Sequence, residues 1–546
     1  MTSSPVRPRP PFRPRLGPWL AVLGVAAVAP ALWLALTIPR EGFALPSDDA
    51  WIHQVFARNL ARDGILAYNA GEKSAGVTAP LWTFLVSEAY FFHLPPLAVA
   101  VGLSYAGYVL WLMALYWLMR GVWPEASPWW AAAAAMLAAP LGPLVWYALS
   151  GLETTLFFAL ATLAAAAFGR RRPVLAGFCA AAGVPLRPEG IILVALLAAW
   201  WGVTLVRERR RPTAAELVGY VAFPALFILP FAVHNLVIGG SIFPTTYYGR
   251  RWLFTSARTL GHLVNAQGPL FFMYYWAKYL AVYVLGLTDY AVFAKIAADP
   301  FVLALIGSWA AVVALVRRRL PAGLAFFMVW LLLHNAAYAF FLTNLGTAAR
   351  YQGANFAFFA VAVVYGCRLL WVYVKAPGFR VVPFILLGGT AVATVASYEA
   401  WERLYADNIH HLTTVHEAAG RWVDKNLPRD ARVAAFDIGA FGYYANRYIV
   451  DTGGLLDPAA FRYQRRKYII PYIAAKGAHY IQVMELPDPE AVPLSERLGI
   501  FTGSRTAYDI TLVKSWELEP SRREGLAITA VAYPVLKLYK IRYYGE

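Results

Sequence analysis

The chain has 546 residues, of which 60% are hydrophobic, 15% aromatic and only 14% charged. A soluble fold of this length needs no such composition, so a wholly soluble protein is excluded and the bilayer is the main solvent. The net charge of +17 lies in short arginine runs between apolar stretches, the pattern of cytoplasmic loops, and no nucleic-acid partner is expected.

Residues 1–18 carry Arg7, Arg9, Arg13 and Arg15 ahead of an apolar run without a small-residue cleavage site. This predicts a retained first anchor with its start inside. A spanning helix needs roughly 20 mostly apolar residues. Candidate stretches are 18–38, 97–119, 127–148, 152–169, 173–186, 190–206, 214–235, 300–316, 321–342, 353–374 and 381–398, about eleven in all. Segment 79–94 is short and contains Glu88, and it reads as an interfacial or re-entrant helix. Segment 270–288 is long enough to span, but its aromatic content and Lys278 suit an interface, so the number of crossings there stays open.

Lys and Arg are retained on the cytoplasmic side. With single crossings, Arg120, Arg170–Arg172, Arg207–Arg211, Arg317–Arg319 and Lys375 with Arg380 all fall inside. The loop at 39–96, the turns at Ser150–Glu153 and Arg187–Glu189, segment 236–299 and the tail then fall outside. Hydropathy drops from Glu399 onward, and 432–436, 448–450 and 479–483 read as short buried strands after a helix at 414–426. The expected architecture is an α-helical polytopic membrane protein, with a transmembrane domain at 1–398 and a soluble extracytoplasmic α/β domain at 399–546. Cys179 and Cys367 lie far apart in apolar runs, so neither a disulfide framework nor a thiolate metal site is indicated.

The sharpest polar feature is Asp48-Asp49, just beyond the first span. Two adjacent carboxylates at a membrane surface repel each other and lose solvation unless a proton, a cation or a hydroxyl uses them. They can supply a general base for an acceptor hydroxyl, or they can cap the helix that follows. After them comes a Gly- and Asn-rich loop, 64–82, suited to holding a polar ligand against the bilayer.

Asp48-Asp49-Ala50-Trp51, Ala57-Arg58-Asn59-Leu60, Asn69-Ala70-Gly71-Glu72 and Gly76-Val77-Thr78-Ala79-Pro80-Leu81-Trp82-Thr83 resemble the first outer loop of GT-C glycosyltransferases, especially bacterial members resembling the mycobacterial terminal arabinofuranosyltransferase. The loop is similar, more distantly, to that of protein O-mannosyltransferases and the lipid A aminoarabinose transferase. Further matches are Leu149–Thr154, Leu186–Gly190, Phe243–Tyr248, Asp437–Tyr443 and Asp451–Pro458. The resemblance implies a GT-C fold, a polyprenyl-phosphate-linked sugar donor, an extracytoplasmic glycan, lipid or protein acceptor, and inversion with an acid of the first outer loop as base. By position Asp48 is that base and Asp49 its partner toward the acceptor or a divalent cation; Asp-Asp here replaces the Asp-Glu of the mannosyltransferases, so the choice between them stays open.

A phosphate leaving group needs cations, and Arg binds phosphate through a rigid fork. The outer candidates are Arg187, Arg350, Arg250 and Arg251. Arg187 and Glu189 can instead neutralise each other, and Arg350 can instead reach lipid headgroups. Glu153, Glu189, His234, Tyr247, Thr78 and Trp82 are candidate substrate contacts, against helix-dipole and helix-end readings of Glu153 and His234. His410, His411 and His416 match no zinc spacing and read as solvated surface. Asp437, Asp451 and Asp457 read as turn residues. Two other classes fit the composition, a secondary transporter and a membrane scaffold displaying a glycan-binding tail. Acids placed in outer loops rather than at the bilayer midplane argue against the transporter.

Overall fold

The computed structural model describes residues 16–248, 298–341, 346–457, 459–465, 468–485, 508–522 and 534–544. Each of the eleven apolar stretches contains helix among its described residues. Six helices are long and apolar enough to cross a membrane: Leu16–Glu41 (α1), Pro96–Val122, Pro188–Glu208, Ala214–Gly239, Thr347–Tyr373 and the helix beginning at Pro377. A seventh span arises if Trp129–Ala138 and Gly142–Ala148, bent by 76°, count as one. Thr154–Phe168 and Pro173–Gly183 have 15 and 11 residues, which at about 1.5 Å per residue is short of a bilayer's ~30 Å. The eleven expected stretches thus correspond, among the described residues, to the six long helices, the bent pair and four shorter apolar helices, Thr154–Phe168, Pro173–Gly183, Leu303–Val316 and Ala322–Tyr338.

The lipid-facing and protein-facing helices separate clearly. Leu226, Leu229, Val233 and Val237 of Ala214–Gly239 are exposed, while Trp111, Phe157, Phe158 and Trp330 are buried at the centre of the bundle. Helices touch closely through glycine: a Cβ on Gly307 would lie 1.9 Å from the Ala362 carbonyl oxygen, an approach that small residues permit in membranes.

After α1 the chain forms two outer helices, Asp48–Asp63 (α2) and Pro80–Phe91 (α3), before Pro96–Val122 (α4) returns to the bilayer. Extended Ser47 starts α2, and Gly64 in the left-handed region (φ 70°) ends it. Proline in the first turn starts α3 and α4, where its missing N–H costs nothing. The 12-residue α3 is too short to span. Phe84, Phe91 and Phe92 on it and at its end are exposed, as suits an interfacial helix.

The tail grows out of the last span without a break. Val382–His411 continues through a π-helical turn, Leu412–Glu417, into Ala418–Asn426, so the expected boundary at 399 falls inside a helix. Strands Arg432–Ala435 (β1), Tyr448–Asp451 (β2), Tyr480–Glu485 (β3), Tyr508–Glu517 (β4) and Val535–Tyr543 (β5) form one sheet in the order β2-β1-β3-β5-β4. The β2-β1-β3 half is parallel, with Val433 opposite Ile449 and Tyr480. The β5 and β4 half is antiparallel, with Ile481 opposite Tyr539. The sheet's hydrophobic core holds Val433, Ile481 and Leu536 together with Val55 and Phe56 of α2 and Tyr68 and Val77 of the outer loop. The tail and the first outer loop thus share one core, and the site lies where they meet.

Candidate active site

A cavity of about 190 Å³ opens between α2, the outer loop, the bundle and the tail. Asp49, Ile52, His53 and Phe56 line it from α2, a spacing that puts one face of the helix toward it. Thr78, Glu153, Arg187, Arg350 and Asp437 also face the cavity.

The paired aspartates divide their work. Both oxygens of Asp48 accept backbone N–H groups of the tail, from Gly439 (2.8 Å) and Ala440 (2.8 Å). These N–H groups begin the helix Ala440–Ala445, so Asp48 caps a helix of the tail, not its own. The backbones meet so closely that a Cβ on Gly439 would lie 2.0 Å from the Asp48 carbonyl oxygen. Burial pushes the Asp48 carboxyl up to about 6 despite those two N–H groups, and the neighbouring Asp49 adds to the rise.

Asp49 faces the cavity and is ion-paired to Arg350. The Asp49 side chain is 40% exposed and that of Arg350 3%, so the carboxylate is open to a ligand while the guanidinium is held in protein. Arg350 also donates to the Ser47 hydroxyl (3.3 Å) and the Tyr351 phenol oxygen (3.1 Å). It follows two consecutive left-handed alanines, Ala348 (φ 54°) and Ala349 (φ 53°), a conformation that costs of order 1–3 kcal/mol per residue. Hydrogen bonds hold this turn: the Tyr147 hydroxyl donates to the Ala348 carbonyl (2.7 Å), and His334 Nε2 lies 2.8 Å from the Tyr351 carbonyl.

Arg187 is spoken for on two sides. It donates to Glu153 (2.7 Å) and Glu189 (2.6 Å), and its guanidinium lies over the Tyr351 ring at 4.5 Å. The Tyr338 hydroxyl donates to Glu189 (2.6 Å), completing a buried network. One Glu153 oxygen, Oε2, has no hydrogen-bond partner among the described residues and lies 3.7 Å from His53 Nε2. Arg187 is thus paired with Glu189 and at the same time lines the cavity.

The other expected contacts split. Thr78 lines the cavity and donates to the Thr246 hydroxyl (3.0 Å). Trp82 does not reach it and is fully buried in the bundle core. His234 Nε2 lies 3.1 Å from the Ser74 carbonyl, bracing the outer loop. Tyr247 stacks on Phe243 (5.2 Å) outside the cavity. Arg250 and Arg251, like segment 270–288, lie outside the described residues. His411 and His416, expected on a solvated surface, are buried with their rings 5.0 Å apart, because the π-helical turn directs them into the junction with α2, where His416 Nδ1 lies 3.9 Å from Asp48.

Two residues of the site escaped the sequence reading. His53 stands four residues after Asp49 on α2, a helical spacing that could have revealed it. Asp437 read as a turn residue, yet it lines the cavity and has no hydrogen bond or ion pair among the described residues. Burial first, then the charges of Asp48 and Asp49, hold its carboxyl well above the usual range. Among the described residues no three His, Cys, Asp or Glu side chains converge, and the charge nearest to Asp49 is the Arg350 guanidinium.

A family model described as a domain of unknown function, DUF8728, matches residues 405–533. No curated protein matches the sequence. Among solved structures the chain is similar to the Archaeoglobus fulgidus oligosaccharyltransferase in its apo form, at 13% identity and a TM-score of 0.55 over 93% of this chain and 81% of that one. It is also similar to ArnT from Cupriavidus metallidurans bound to undecaprenyl phosphate, at 12% identity and a TM-score of 0.52 over 96% and 98%. Both are GT-C glycosyltransferases. The likeness at this identity is one of fold: the chain is a multi-span membrane protein with the GT-C fold and a small C-terminal sheet domain.

Proposed function

We propose that the chain is an inverting glycosyltransferase that moves a sugar from a polyprenyl-phosphate donor to an extracytoplasmic acceptor, a cell-envelope glycan, lipid or protein. The observation that carries the reading is the Asp49–Arg350 pair, an exposed carboxylate held by a buried arginine in one cavity with Arg187. The arginine runs support a cytoplasmic N-terminus and an outer tail, and with that orientation the cavity would open at the outer face of the membrane.

In the reaction an acceptor hydroxyl attacks the anomeric carbon as the bond to the phosphate oxygen breaks. The hydroxyl proton passes to a carboxylate, and the phosphodiester monoanion leaves as a monoester dianion. Asp49 is better placed as base than Asp48, whose oxygens both hold the tail. Arg350 turns toward the extra charge on the leaving phosphate, and the Asp49 carboxylate it releases is free to take the proton. Arg187 adds a second positive charge, and Glu153 and Glu189 fix its direction.

The loop's resemblance to arabinofuranosyltransferases makes a pentofuranose the first donor to test, although the fold alone fixes no sugar. The test is transfer from radiolabelled polyprenyl-phosphate sugars by the full chain in lipid nanodiscs, with product anomers assigned by NMR. Product with inverted configuration supports the reading, and turnover of no donor in the panel counts against it.

A further inference from the structure

A second cavity, of about 250 Å³, lies beside the first on the edge of the tail sheet. Leu456 lines both cavities, and neighbouring Thr245 and Thr246 line the second and the first respectively. The edge strand β2 forms one wall, and the turn between Ala67 and Lys73 forms the other. The Asn69 side chain locks the two together by donating to the Ile449 carbonyl (2.9 Å) and accepting its N–H (2.9 Å).

The lining is polar and nearly balanced in charge. Lys73 and Lys476 face Glu72 and Asp457, and the carboxylate of Asp451 is engaged by backbone N–H groups of Gly453, Leu455 and Leu456. A phosphate would need an excess of cations. A sugar hydroxyl both donates and accepts, so alternating cationic donors and carboxylate acceptors suit it. The walls are already oriented: the Tyr448 hydroxyl donates to Glu72, the Tyr472 hydroxyl donates to Asp457 (3.2 Å), and Lys476 pairs with Asp457 (2.8 Å). Lys73 is exposed and has no hydrogen bond or ion pair among the described residues.

We propose that this cavity is a carbohydrate subsite, which holds a neutral sugar residue of the acceptor next to the one being extended. Its acceptor role rests on the glycosyl-transfer reading, while its binding of sugar rests on the cavity itself. Nothing in Asp48, Asp49 or the arginines is needed for it.

The test is saturation-transfer NMR on the full chain in nanodiscs, with methyl α-D-mannopyranoside, methyl β-D-galactopyranoside and methyl α-D-arabinofuranoside as probes and inorganic phosphate as competitor. At least one glycoside should bind, and binding should weaken about tenfold in the surface-loop double variant Glu72→Ala/Lys73→Ala and in Lys476→Ala, the loss expected for one or two hydrogen bonds. Binding should persist in Asp49→Asn and resist phosphate. The subsite is refuted if no glycoside binds, if both sets of variants bind like wild type, if Asp49→Asn alone loses the signal, or if phosphate displaces it. The two readings fail separately. Glycoside binding that depends on Glu72 and Lys73 without any sugar transfer overturns the enzyme and leaves the subsite, whereas transfer with an unchanged acceptor KM in the variants overturns the acceptor role alone.

Discussion

Gly439→Ala probes whether the tail is seated on the catalytic loop. The added Cβ would lie 2.0 Å from the Asp48 carbonyl oxygen and 2.5 Å from its carboxyl carbon, and real Cβ contacts are essentially never under 3.0 Å. The tail must therefore back away from α2 by about 1 Å, which moves Asp437 relative to Asp49. Overpacking of this kind typically costs ~1–3 kcal/mol, and a misplacement of ~1 Å can cost ~10²-fold in rate. The expected outcome is a lower melting temperature, faster proteolytic release of the tail, and a kcat for transfer down about 100-fold. The control is Gly24→Ala in α1, where a Cβ meets nothing within 4 Å. Gly439→Ala behaving like Gly24→Ala in stability, proteolysis and kcat would refute the seated tail.

Three further outcomes follow from the same geometry. Arg350→Lys keeps the charge but loses the fork that reaches Asp49, Ser47 and Tyr351 together; transfer should fall by roughly 10–100-fold in kcat, as for lost transition-state donors, measured against unchanged thermal stability of the bundle. Arg187→Ala strands Glu153 and Glu189 without their cation in a buried site and should destabilise the chain by roughly 3–5 kcal/mol, read as loss of folded protein by size-exclusion chromatography, whereas recovery of stably folded variant counts against the network. For Asp48, a folded-state value raised from 3.8 to about 6 means that the folded chain binds the proton more tightly than the unfolded one. Wild type accordingly gains stability as pH falls from about 6 toward 3.8 and lacks that gain above 6. Asp48→Asn cannot titrate, so the variant's deficit should be greater at pH 5 than at pH 7, by on the order of 1 kcal/mol in chemical unfolding; an equal deficit at both would contradict the burial of that carboxyl.

Hydropathy alone made the membrane class and the apolar helices legible, because lipid selects composition stretch by stretch. It did not show which apolar helices are short, such as Pro173–Gly183 with 11 residues, or which face of each is buried in the bundle, because composition records neither. Strands β1, β2 and β3 were readable as short buried runs. The edge strand β4 was not, since Leu512 and Val513 on it are exposed and no alternation of burial marks it. The acidic pair was legible as a site, but its division of labour was not: Asp48 meets Gly439 and Asp49 meets Arg350 across 391 and 301 residues. Asp437 looked like a turn residue for the same reason, because its setting depends on α2 and not on its neighbours in sequence.

The central claim is that Asp49, released by Arg350, takes the acceptor proton. Its most direct test is transfer of radiolabelled sugar by wild type, Asp48→Asn and Asp49→Asn, with donor binding measured in parallel. Asp49→Asn should bind donor but lose roughly 10²–10⁴-fold in kcat, the range of a general base, while Asp48→Asn keeps more activity than Asp49→Asn. Full turnover by Asp49→Asn, or loss confined to Asp48→Asn, would contradict it.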